Sequence, residues 1–425
     1  MSIFVFLGSL FVFLTLGIPI AIVLILCAVV LMIYLGNFNP EIIAQSMVMG
    51  ANNFPLMAVP FFMLAGEIMS RGGLSKQIVE FANIVVGRFK GGLGYAAILA
   101  SMIFAGLSGS AVADAAALGS ILVPLMVQKG YKADRATGLI CAGAVIAPII
   151  PPSIPMILLG VTAGISIGKL FLAGIVPGII LGLALMICWK WIAVKDGYTD
   201  KVTYTKTEAR QIVKKSLPAL MMPIIIIGGI RFGIFTPTEA GSFAVVYAFL
   251  VALFVYKELT FKELPEVFIA AAKMTSVVMF IVASASAVAW LLTVAQIPTQ
   301  MASMFTGFID SPLLLLIILN IFLFLVGMVM DLTPAVLIFA PVLFPIIKVA
   351  GIDPYFFGVI MVLNLTIGLI TPPVGTILYL GCSVGKISFP RMIRGVFPFL
   401  VTEIIVLFLY VFFPQIILAP LNWFY

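Results

Sequence analysis

The chain has 425 residues; 63% are hydrophobic and 9% charged, the mean hydropathy is +1.29 and the net charge is +7. Soluble domains average about 45–50% apolar and about 25% charged residues, so a soluble globular domain, a disordered tail protein and a nucleic-acid binder are excluded, which leaves a polytopic membrane protein. Histidine is absent, which removes Ser-His and Cys-His catalysis, most zinc sites and haem ligation.

Residues 3–35 are apolar almost throughout, about 50 Å as a single helix against a hydrocarbon core of about 30 Å. Gly17-Ile18-Pro19 interrupts them, so two short spans with a periplasmic N-terminus are expected. The segment lacks a basic n-region and a small-residue cleavage site and is expected to be retained. The motifs GRFK (87–90) and KGYKADR (129–135) are basic and read as cytoplasmic. Between them lies an apolar hairpin, 92–128, whose tip is GLSGSAVAD (106–114). Each arm is about 20–27 Å long, short of the hydrocarbon thickness, so the hairpin is predicted to be re-entrant. A helix over 134–167 is broken at APIIPPSIP (147–155), where consecutive prolines remove two N–H donors. Lipid tolerates such a break only where the freed backbone faces protein or a watery cavity.

After a helix at 169–190 comes the longest polar stretch, 191–217, in which residues 195–215 hold six basic and three acidic side chains. It is predicted to be a cytoplasmic connecting loop between a first repeat, 1–190, and a second, 218–425. The second half repeats the series. Two helices cover 217–256, parted by Gly233-Ile234-Phe235-Thr236-Pro237; a hairpin spans 313–348 with its tip at GMVMDLTP (327–334); and a helix over 353–385 is broken at GLITPPVGT (368–376). The aromatic end LNWFY suits a membrane interface. Cys27, Cys141, Cys188 and Cys382 lie in apolar runs with no C-x-x-C spacing and read as small core residues.

At an offset of 221, residues 106–177 align with 327–398 without a gap, and nine of the thirteen identities are Gly or Pro. Composition alone gives about one such coincidence, and chance similarity of apolar sequences would favour Leu and Ile matches, so the chain is internally duplicated. The basic loops of the first half correspond to weakly charged ones in the second (309–312 and 348–354), while GKISFPRMIR (385–394), matching a periplasmic turn, is basic. The second repeat is therefore inverted. The expected fold is an all-α polytopic membrane protein with inverted-topology repeats, two re-entrant hairpins and two discontinuous helices.

Freed carbonyls and hydroxyls at a break suit a cation, and half-helix N-termini suit an anion. One candidate cluster joins Ser108, Gly109 and Ser110 to the carbonyls of Ala147–Pro151, Ile150 among them; the other is Gly327, Asp331, Thr333, Thr366, Gly368 and Thr371. The competing reading for each hydroxyl is packing at a small-residue helix contact. Asp114 either serves the site or fixes the hairpin. Glu67 and Glu239 lie in apolar surroundings, Glu239 as an ion site or as part of a helix cap, and Arg231 and Lys273 are candidate counter-ions. Na⁺ rather than H⁺ is the expected coupling ion, with no other cofactor. GLSG (106–109) invites an intramembrane serine protease, but no histidine base exists, and no G-x-x-x-x-G-K-[ST] supports ATP hydrolysis.

The motifs PFFMLAGEIM (60–69), FAGLSGSAVADAAALGSILVPLM (104–126), IIPPSIPMILLG (149–160), FTPTEAG (235–241), DLTPAVLIFAPVLFPI (331–346) and LITPPVGTILYLG (369–381) together resemble the large membrane subunit of a tripartite ATP-independent periplasmic (TRAP) transporter. The resemblance covers essentially the whole chain and is nearest to sialic-acid members. It implies an elevator-type transporter in a bacterial inner membrane, Na⁺ coupling, a separate small four-helix membrane subunit, and a periplasmic binding protein that delivers an organic acid. On this resemblance Ser108 and Ser110, with Ala147, Ile150 and Pro151, match a first Na⁺ site. Gly327, Thr366, Gly368 and Thr371 match a second, and Asp331, Ser166 and Asp114 lie on the substrate side. The rival readings are a stand-alone divalent-anion/Na⁺ symporter and, from another class, an ion channel.

Overall fold

The computed structural model describes every residue except 1, 203, 298, 301–310 and 425, so part of the 309–312 loop lies outside the described residues. The described residues are helical with no strand, and eight of their helices are long and apolar enough to cross a membrane. The chain is a multi-pass membrane protein.

Residues 3–35 form two helices, α1 (Ser2–Thr15) and α2 (Ile20–Tyr34), parted where Gly17 has φ +74° and Pro19 opens the next turn. Next come α3 (Pro40–Ala51), α4 (Ala58–Arg71) and α5 (Leu74–Val86). The first hairpin is α6 (Gly92–Ser108) and α7 (Ala111–Gln128); the first broken helix is α8 (Ala133–Ala144) and α9 (Ile154–Ala163).

The polar stretch 191–217 is helical at both ends. Here α10 (Ile167–Lys195) runs into it, and α11 (Lys206–Arg231) begins behind a Thr205–Glu208 capping box, leaving 196–205 as the connection. Its charges therefore decorate helix ends, where Glu208 in the first turn suits the macrodipole. The connection is clamped. Tyr131 donates to the Asp200 carboxylate, Lys132 pairs with Asp196 at 2.9 Å, and the Tyr131 and Tyr198 rings stack with centroids 4.3 Å apart. Burial first, and the Asp200 carboxylate with it, push the Tyr131 phenol up, so it stays a neutral donor.

The second half runs α12 (Pro237–Leu250), with a π-helical turn to Tyr256, and α13 (Leu264–Val294). The second hairpin is α14 (Pro312–Gly327) and α15 (Leu332–Val349), the second broken helix α16 (Pro354–Gly368) and α17 (Thr376–Gly385); α18 (Phe389–Phe412) and α19 (Gln415–Phe424) close the chain.

The relation between the halves is visible in one seam. The Cys188 thiol of α10 donates to Pro398 O on α18 (3.6 Å), and the Tyr410 hydroxyl of α18 donates to Pro177 O on α10 (2.7 Å). Pro177 and Pro398 are equivalent at the offset of 221, so each accepts from the far part of the other's helix. These two helices therefore lie antiparallel. At the end of the seam the Arg135 guanidinium donates to the carbonyls of Arg394 (3.2 Å) and Gly395 (3.3 Å).

Candidate functional site

Both helix breaks have the same construction. After α8, the N–H groups of Val145, Ile146 and Ala147 bond carbonyls three residues back, and Pro151 and Pro152 then offer no donor. Ser153 restarts the helix by accepting from Met156 N at 3.3 Å. After α16, Leu369, Ile370 and Thr371 make the same three tight turns before Pro372 and Pro373. The Pro–Pro bond is cis in both breaks. Among the described residues, no backbone N–H bonds the carbonyls of Ala147, Ile150 or Pro151. These are the free acceptors that the consecutive prolines predict.

Each hairpin tip packs on the break of its own half. A Cβ on Gly109, which has φ +61°, would lie 2.4 Å from Pro152 O, and one on Gly106 would lie 3.6 Å from Pro151 O. In the second half a Cβ on Gly368 would lie 2.4 Å from the Gly327 carbonyl carbon, and Val374 N–H donates to Met328 O at 3.3 Å. Glycine is needed where backbone meets backbone this closely. The structure thus joins the tip at Ser108–Ser110 to the Ala147–Pro151 break, and Gly327 to Gly368.

The hydroxyls are engaged differently. Ser108 donates to the Asp114 carboxylate, and its oxygen accepts Ser110 N–H at 3.2 Å. Thr366 and Thr371 donate back to Val362 O (2.6 Å) and Ile367 O (2.8 Å) in their own helix. A hydroxyl that has donated keeps lone pairs for a cation, so these bonds orient oxygens without using them up.

The two tips meet around one cavity of about 310 Å³. Ser110, Ala111 and Val112 line it from the first tip, Asp331, Leu332 and Thr333 from the second, Pro148 and Leu369 from the breaks, and Met63 and Met274 from α4 and α13. Ile154 and Pro155 add the start of α9, so the N-termini of α7, α9 and α15 all reach the same space. At the offset of 221, Ser110 and Asp331 are equivalent, and both stand at the N-cap of the returning arm. Ser110 accepts from Ala113 N at 3.4 Å; Asp331 makes no capping bond and is exposed at the cavity.

The chain matches the tripartite ATP-independent periplasmic transporter DctM component family over residues 7–416. It belongs to that family as its large membrane subunit. The 2,3-diketo-L-gulonate TRAP transporter large permease YiaN of Escherichia coli is 50% identical over 423 residues, covering 100% of both chains. The sialic acid TRAP transporter large permease SiaM of Vibrio cholerae is 39% identical, covering 97% of this chain and 96% of the relative. A crystal structure of the Alcanivorax borkumensis YdaH transporter superposes with a TM-score of 0.66 over 88% of each chain at 12% identity, so the fold alone is shared.

Several residues of this TRAP large subunit stand elsewhere than the sequence suggested. Ser166 caps α10 by accepting from Lys169 N at 3.4 Å and lines a different cavity, with Gly160 and Thr236. Asp114 is fully buried and turned into its own hairpin toward Ser108, away from the substrate-sized space. Glu239 follows the cap alternative of the sequence reading: its carboxylate accepts Thr236 N–H at 2.7 Å. Glu67 pairs with Arg71 at 2.7 Å, which also reaches Glu266 at 3.2 Å. Lys273 is exposed on α13, and the Arg231 guanidinium sits over the Phe232 ring. Sequence reading passed over Glu403, a fully buried acid of α18. A lone carboxylate in the apolar run FLVTEIIVL is the signal that marks it.

Proposed function

We propose that this subunit imports an organic acid by Na⁺-coupled elevator transport, with both hairpins re-entrant and their tips at membrane depth. The observation that carries the reading is the single cavity shared by two hairpin tips, two helix breaks and three helix N-termini. N–H groups and positive dipole ends favour a carboxylate there. In the same space the Asp331 carboxylate and the Thr333 hydroxyl offer acceptors for substrate hydroxyls. A sugar acid has both features, and relatives named for 2,3-diketo-L-gulonate and sialic acid share that chemistry.

For the coupling ion, the oxygens fit a small hard cation. The carbonyls of Ala147, Ile150 and Pro151 accept no backbone bond, and Asp114 Oδ2 is buried without a partner next to Ser108. In the second half, Thr366, Gly368 and Thr371 surround the equivalent break. A cation bound at each break would fix the tip against it, so the cavity would be completed only when the ions are loaded. Family membership further supports a bacterial inner-membrane location, a separate small membrane subunit and a periplasmic binding protein.

Uptake by the purified subunit, reconstituted with its small subunit and binding protein, tests this. Uptake of a sugar acid should require an inward Na⁺ gradient. Undiminished uptake after complete replacement of Na⁺ by K⁺, with only a pH gradient imposed, would refute the coupling. Flux without saturation and without the binding protein would mean a channel.

A further inference from the structure

Glu403 lies on α18 between the two seam contacts, four residues beyond Phe399, which stacks on Trp189, and seven before Tyr410, which bonds Pro177. It is fully enclosed, and among the described residues neither carboxylate oxygen has a hydrogen-bond partner. Asp114, the other fully buried acid, has the Ser108 hydroxyl. An ionised carboxylate without donor or cation is not tolerated in an apolar interior, least of all in a membrane.

Among the described residues, no cation pairs with Glu403. From α8 the facing titratable group is Cys141, and from α10 it is Cys188. Arg135 and Asp134 stand at the α8 terminus, where Arg135 is bound to the carbonyls of Arg394 and Gly395, about 13 Å along the helix from Glu403. From α17, Cys382 lies beyond Cys141, and Tyr379 stacks on Phe389 at the start of α18. Of the other helices against α18, α16 carries only Tyr355 at its first turn, and α14 and α19 carry no titratable side chain. Tyr410, on α18 itself, already donates to Pro177.

We propose that Glu403 is a proton-binding site of this transporter, occupied in the conformation described here. The bound species is a proton taken from water; its release leaves a carboxylate that the closed seam cannot hold, so proton loss weakens the seam. The site is separate from the cavity and the breaks, and the inference needs no assumption about the transported acid.

Two measurements test it. The infrared spectrum of wild type minus Glu403→Gln at neutral pH should contain the C=O stretch of a protonated carboxyl; a carboxylate band in its place overturns the proposal. Thermal stability and sugar-acid uptake should be followed from mildly acidic to alkaline pH at saturating Na⁺. Wild type should lose at least about threefold of its uptake and melt progressively lower as pH rises, as a buried acid requires when the solution pulls its proton away. Glu403→Gln and Glu403→Leu should flatten both profiles, and Glu403→Leu should raise the melting temperature. Should Glu403→Gln not fold, the leucine variant carries the test, because an apolar side chain suits this seam. Identical pH profiles in wild type and a folded variant overturn the proposal. Were uptake undetectable, the spectrum and the melting profile would still decide it, and the failure would fall on the proposed transport function alone.

Discussion

The two hairpin–break units share a backbone and differ in how they are made polar. In the first, the tip carries two serines and a buried aspartate, bound to one another inside the hairpin. In the second, the hydroxyls belong to the broken helix and bond back along it, while the tip presents Asp331 to the cavity. The glycines and prolines recur in both units because close approach and helix breaking depend on the backbone. The polar side chains differ. The first unit is polar mainly inward, with Ser110 alone of these groups at the cavity, and the second turns its carboxylate to the cavity.

The harshest way to break this comparison is to fill the contact both units share. Gly368→Ala places a Cβ 2.4 Å from the Gly327 backbone, and Gly109→Ala places one 2.4 Å from Pro152 O at a φ of +61°. Each should cost about 2–4 kcal/mol and abolish uptake, with Gly109→Ala the worse because strain adds to overpacking. Melting temperatures and uptake of the two purified variants check the order.

Next in size, Ser108→Ala removes the only donor to the buried Asp114 carboxylate among the described residues. The loss should be about 1–3 kcal/mol of stability together with a ten- to hundredfold rise in the Na⁺ half-saturation. Thr371→Ala deletes a hydroxyl that bonds within its own helix, so it should raise the Na⁺ requirement while moving stability by less than about 1 kcal/mol. A Na⁺ titration of uptake beside a denaturation curve separates the two. If neither variant changes the half-saturation, the hydroxyls leave the ion sites to the carbonyls alone.

The smallest effect on folding should come from the equivalent N-caps. Asp331→Asn should leave stability within about 0.5 kcal/mol, since no capping bond is lost, while weakening sugar-acid transport through its substrate half-saturation. Ser110→Ala forfeits a true cap and should cost about 1 kcal/mol. Equal stability losses at the two positions would show that the units are polar in the same sense after all.

Backbone features were the legible ones. The hairpins at 92–128 and 313–348 and the breaks behind the paired prolines coincide with observed helix ends, because Gly and Pro act through local geometry that sequence states directly. The cluster pairing was legible as well, since tip and break recur together in both halves. Direction was not legible. Nothing in the local sequence tells Asp114 from Asp331, yet one turns into its hairpin and the other into the cavity. Ser166, which the resemblance places on the substrate side, caps α10, and Glu239 was ambiguous until its carboxylate was seen on Thr236 N–H. The polar stretch 191–217 misled for a related reason: charge density reports solvation, and solvated helix ends are as charged as loops.

The bonds from Arg135 to the carbonyls of Arg394 and Gly395 cross up to 260 residues of chain. During synthesis at roughly 5–20 residues per second, α8 therefore waits about 10–50 s for the helix that covers it. Its face is small and apolar, rich in Ala and Gly, so in that interval it offers the insertion machinery and neighbouring chains an attractive wrong partner. The first repeat can enter the membrane early, but it cannot be finished until almost the last span has been made.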